Sequence, residues 1–140
     1  MTSRELRDRS MRFAVRAVRF CRTLPDSWEA RRVAGQLIDC TTSVAMNYRA
    51  ATRGRSRAEF IAKLGIVVEE ADESVGWLEL LAELDLAKGE EFAWLLGESR
   101  ELLAIFGQSQ KTAKENRQQI NSTINRASPN RRSSISGDPP

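Results

Sequence analysis

Ser56-Arg57-Ala58-Glu59-Phe60-Ile61-Ala62-Lys63-Leu64-Gly65-Ile66-Val67-Val68-Glu69-Glu70-Ala71-Asp72-Glu73-Ser74-Val75-Gly76-Trp77-Leu78-Glu79-Leu80-Leu81-Ala82-Glu83-Leu84 contains no proline. Apolar or small residues recur at Phe60, Leu64, Val67, Ala71, Ser74, Leu78 and Leu81, in steps of four and three. A period of 3.5 residues keeps one stripe of a helix turned toward its neighbours along its whole length. Ile61, Val68 and Val75 lie beside the stripe and widen it. That width suits the inner face of a bundle better than a two-stranded coiled coil. Ser56 and Glu59 stand at capping-box spacing, so the helix starts there. At 1.5 Å per residue it is about 42 Å long, and only partners of similar length can bury it.

Such partners exist on both sides. Thr2 and Glu5 form another capping pair, and Leu6, Ser10, Phe13, Ala17, Phe20 and Leu24 repeat the same spacing. Pro25 ends that helix. Asp26 and Glu29 are the expected cap of a second one, with Val33, Leu37, Cys40, Val44, Asn47 and Ala51 on its stripe. Asn47 is the one strongly polar member. It reads as a buried amide that fixes register, in preference to a ligand-binding group. Gly54 ends the second helix. After the quoted stretch, Gly89 and Glu90-Glu91 introduce a fourth helix carrying Phe92, Leu96, Ser99, Leu103 and Phe106, acidic at its start as the helix dipole favours. The prediction is an all-α, up-down-up-down antiparallel four-helix bundle over residues 1–115. Residues 116–140 hold three Ile and no aromatic residue. Too little apolar surface is available there to offset ordering entropy, so a disordered basic tail is expected.

The 140 residues suffice for one core. The first residues lack the apolar segment of a signal peptide, and no apolar run is long enough to span a membrane, so the expected compartment is the cytoplasm. Cys21 and Cys40 fall on apolar helix faces and read as small core residues. The net charge of +3 conceals a segregation. Residues 1–63 carry 14 Lys/Arg against 6 Asp/Glu, residues 64–105 carry 2 against 11, and residues 106–140 carry 6 against 2. This implies charged partners, or neutralisation within the fold or across a subunit contact.

Catalysis finds no support. The chain has no His, no Gly-rich phosphate loop and no nucleophile motif. Glu69 and Glu73 stand four residues apart, yet di-iron bundles use Glu-x-x-His, and the better reading pairs Glu69, Glu70, Asp72 and Glu73 with arginines of the first two helices or of another subunit. No metal or cofactor is expected. Trp28, Trp77 and Trp94 read as packing residues. The arginines carry the functional signal. Arg9, Arg12, Arg16 and Arg19 fall on one face of the first helix, opposite its apolar side. Arg49, Arg53, Arg55 and Arg57 surround the second turn. Together they could contact phosphates without regard to sequence, or form a solvated, ion-paired face.

The segment Ser43-Val44-Ala45-Met46-Asn47-Tyr48-Arg49-Ala50-Ala51, followed by Ser56 to Gly65, Glu69-Glu70-Ala71-Asp72-Glu73 and Trp77 to Leu81, resembles the family of four-helix-bundle proteins encoded in 23S rRNA intervening sequences. That group is related to the accessory variability proteins of diversity-generating retroelements. Many relatives have Asn-Ile-Ala-Glu-Gly where this chain has Asn47-Tyr48-Arg49-Ala50-Ala51. The resemblance implies a ring-like homo-oligomer, by analogy a homopentamer, that binds RNA or DNA and accompanies a reverse transcriptase. It carries over no catalytic residue. The expected function is therefore non-enzymatic nucleic-acid binding through Arg9, Arg12, Arg16, Arg19, Arg49, Arg53, Arg55 and Arg57. The alternative is a protein–protein adaptor whose charge asymmetry serves assembly.

Overall fold

The computed structural model describes residues 1–128. They form four helices: α1 (Ser3–Cys21), α2 (Trp28–Thr52), α3 (Arg57–Glu83) and α4 (Glu90–Ala127). Each helix packs on its sequence neighbour, and α1 meets α4 to close the bundle. There is no strand among the described residues.

The helix starts follow from side chains that supply what the first turn lacks. Thr2 and Glu5 make the full reciprocal box. Ser56 accepts from the backbone N–H of Glu59 at 3.1 Å, while the Glu59 carboxylate accepts from the backbone N–H of Arg55. For α2 the cap is Ser27, which accepts from Ala30, and not Asp26. Asp26 forms an exposed ion pair with Arg31 instead. The cap of α4 is Gly89, with φ of 99° and no side-chain hydrogen bond. That conformation lies outside the regions open to L side chains. Gly89→Ala is expected to destabilise the fold by about 1–3 kcal/mol, read as a lowered denaturation midpoint. An unchanged midpoint would mean the turn relaxes at no cost.

In α1, α2 and α3 the core largely follows the expected 3.5-residue spacing. In α4 Leu95 and Leu102 are buried, whereas Leu96 and Leu103, expected on the stripe, are only partly buried, since both sets alternate steps of three and four. Phe13, Leu37, Val44, Leu64, Val67, Leu78, Leu81, Leu95, Leu102 and Phe106 are all buried. Phe20 stacks on Phe92, and Tyr48 tilts against Phe106 with ring centroids 5.1 Å apart. Buried hydroxyls turn back on their own helices: Ser10 donates to the Leu6 carbonyl, Thr41 to Leu37 and Ser74 to Glu70. Every buried side-chain polar atom among the described residues has a partner. Asn47 is only half-buried, and its amide donates to the carbonyl and the hydroxyl of Ser43 one turn earlier. The expected register-fixing role is thus replaced by satisfaction within α2. Both cysteines are unbridged, and burial pushes each thiol up to about 11, so both stay protonated at neutral pH.

Two further expectations need correction. Trp28 does not pack: 71% of it is exposed, at the first position of α2. Residues 116–127, expected in a disordered tail, are the last turns of α4. An existing helix adds residues without paying the cost of nucleation, and Lys, Glu, Arg and Gln are good helix formers. No burial is therefore required, and from Lys114 onward every described residue is exposed. Residues 129–140, including Arg131 and Arg132, lie outside the described residues. At 38 residues against 27, α4 projects beyond the start of α3, by about 15 Å from the level of Asn116.

Candidate nucleic-acid interface

The arginines of α1 divide into two kinds. Arg9 and Arg16 face α4 and are engaged there. The Arg9 Nε donates to Glu98 Oε1 at 2.7 Å, and its Nη2 lies 3.2 Å from Glu101. Arg16 grips both oxygens of Glu91, at 2.9 and 2.7 Å. Its guanidinium also lies flat over Trp94, 3.3 Å from the ring centroid, a cation–π contact. The hydrogen bond from Arg16 holds the Glu91 carboxyl below its ordinary value. Arg12 and Arg19 are exposed and make no ion pair among the described residues. Acidic groups nevertheless stand near both. Arg12 shares a cleft with Glu5 and Asp8, and Arg19 shares one with Glu90 and Glu91. The potential along α1 is therefore mixed.

The second group differs. Arg49, Arg53, Arg55 and Arg57 are all exposed, and none makes an ion pair among the described residues. They ring the α2–α3 turn, whose tightness follows from Gly54. A Cβ there would sit 3.2 Å from the Ala51 carbonyl oxygen, a backbone atom with little room to move. The start of α1 comes to the same end of the bundle, since Ser3 and Arg7 both act on the Tyr48 hydroxyl. Burial raises that phenol's pKa, and the Ser3 hydrogen bond and the Arg7 charge oppose it. The outer turns of α4 add Lys111, Lys114, Arg117 and Arg126, all exposed. The sequence reading places Arg117 and Arg126 in a basic tail; the structure carries them on the helix instead. The signal was present: Phe92, Ser99, Phe106, Ala113, Ile120 and Ala127 recur every seven residues, well past residue 115.

The carboxylates of α3 are not matched with these arginines. Glu69, Glu70 and Glu73 form no ion pair among the described residues, and Glu73 accepts from the Trp77 indole N–H at 3.1 Å. Burial raises the Glu70 carboxyl's pKa, and the charges of Glu73, Glu69 and Asp39 raise it further. This acidic face is therefore self-repelling. No group of His, Cys, Asp and Glu among the described residues is arranged to hold a metal ion. No helix there is long and apolar enough to cross a membrane.

The family model described as 23S rRNA-intervening sequence protein matches residues 3–108. A crystal structure of a protein of unknown function from the S23 ribosomal protein family of Bacteroides thetaiotaomicron is similar, with a TM-score of 0.72 and 32% identity. The match covers 79% of this chain and 99% of that one. No functionally curated protein matches. The family match stops short of the projecting turns of α4.

Proposed function

Because the chain belongs to the 23S rRNA-intervening sequence protein family, we propose that it is a non-enzymatic bundle that binds the backbone of RNA or DNA in the cytoplasm. One observation carries this reading: four exposed arginines crowd a single turn, and among the described residues none of their guanidinium groups is ion-paired to a carboxylate. Guanidinium groups so placed suit phosphate oxygens, which they can grip in bidentate fashion. Binding of this kind is indifferent to sequence and weakens as salt rises, because each neutralised phosphate releases counterions.

The test is a binding series with ribosomal RNA fragments and with DNA of unrelated sequence. Both are expected to bind at low salt, with log affinity falling by roughly 0.7–0.9 per contacted phosphate for each tenfold rise in salt. No binding at low salt would end the proposal.

The acidic face around Glu70, which has no ion pair at Glu69, Glu70 or Glu73 among the described residues, favours a second reading that can coexist with the first. Another copy's arginines would relieve its repulsion and fix the register of a homo-oligomer. Light scattering across the same salt series checks this. The reading expects a mass above that of one chain, decreasing at high salt, and a single-chain mass at low salt would dismiss it.

A further inference from the structure

Where α4 leaves the bundle it forms a groove with the first turn of α3. Two adjoining clefts, of about 620 and 460 Å³, share Arg57 and Asn116. Each is within the range of pockets that hold small organic ligands, about 300–1,000 Å³. Among the described residues, their walls hold one cation, Arg57, and no carboxylate. The clefts along α1 differ, since Glu90 and Glu91 line one, and Glu5 and Asp8 the other.

The rest of the groove is of two kinds. Asn116 and Gln119 offer side-chain amides, each both donor and acceptor. Phe60, Ile120 and Ile124 offer apolar surface, with Ile120 45% and Ile124 57% exposed. A nucleobase needs both: its edge takes amide hydrogen bonds and its face packs on apolar or aromatic side chains. The phosphate that comes with it needs a cation. Only an unpaired base has its pairing edge available for such contacts.

We propose that this groove seats an unpaired nucleotide of a single-stranded nucleic acid, its base on Asn116 and Gln119 and its phosphate on Arg57. The proposal rests on the reading of the arginine turn as a phosphate surface, which the groove continues. Arg53 and Arg55 lead up to Arg57, and on α4 Arg117 follows Asn116, whereas Lys111 and Lys114 lie on the face of that helix away from the groove. The arginines of the adjoining α2–α3 turn disfavour a second copy as the occupant, because two such turns brought together would repel each other.

The experiment compares the full chain's affinity for a single-stranded oligonucleotide and for a blunt duplex of equal strand length, by fluorescence anisotropy. The wild-type protein is expected to prefer the single strand by about tenfold. The Asn116→Ala/Gln119→Ala variant should lose that preference while its duplex affinity stays within about twofold. Both residues are exposed on a helix, and an unchanged melting curve verifies that the fold is intact. Equal binding of the two probes by the wild type, or an unaltered preference in the variant, overturns the groove proposal alone. A loss of oligomer mass in the variant also overturns it and assigns the groove to a second copy. If neither probe binds at low salt, the phosphate-surface reading is lost and the groove proposal with it.

Discussion

Replacing Arg49, Arg53, Arg55 and Arg57 together by glutamate is expected to lower nucleic-acid affinity by at least about a hundredfold near physiological salt. The salt dependence should become shallower in the same variant, its slope reduced by roughly 3 to 4 if all four groups contact phosphates, at about 0.7–0.9 each. The size of the effect comes from the absence of competing partners. These guanidinium groups are exposed and make no ion pair among the described residues, so their charge is available to an incoming polymer. For the same reason their replacement leaves no buried group unsatisfied, and stability should move little. Arg9 and Arg16 supply the contrast. Reversing them sets new carboxylates beside Glu98, Glu101 and Glu91, which weakens the α1–α4 contact and not a binding surface. A folded quadruple variant that still binds with wild-type affinity and slope would exclude the α2–α3 turn as the contact.

The second large effect concerns the core. Phe106→Ala should cost about 3–5 kcal/mol of stability, because it deletes a large side chain at a site with little freedom to collapse. Phe106 has 0% exposure and packs its ring on Tyr48, so the substitution removes both the transfer free energy and an aromatic contact. Tyr48 stands one residue before Arg49, so a cavity there also loosens the support of the basic turn. Chemical denaturation should show a lower midpoint, and Ile120→Ala on the projecting part of the same helix should not. A loss below about 1 kcal/mol for Phe106→Ala would mean the neighbouring helices close over the gap.

The bundle was legible because its determinants are local. Capping pairs at Thr2 and Ser56, Pro25 and the 3.5-residue spacing each act within a few residues of where they stand. The errors have the same origin. At the second helix, Asp26 and Ser27 are both competent caps, and which one serves depends on backbone detail that composition does not carry. The fate of the arginines depended on pairs 75 and 89 residues apart in sequence, Arg16 with Glu91 and Arg9 with Glu98. No reading of α1 alone separates Arg9 from Arg12, since both lie on its polar side. The end of α4 escapes an argument from burial, because a helix already nucleated extends without it. Trp28 was misjudged because its size suggests a core residue, while its place on α2, half a turn of the helical wheel from Leu37, sends it outward.

Cations outnumber carboxylates at the end of the bundle that holds the α2–α3 turn, whereas at the other end Glu83, Asp85, Glu90 and Glu91 offset Arg19, Arg22, Arg31, Arg32 and Lys88. The folded chain is thus an elongated electric dipole. In the field of an anionic polymer such a body experiences a torque before any contact forms, and it arrives arginine end first. Orientation of this kind shows itself in the association rate more than in the lifetime of the complex.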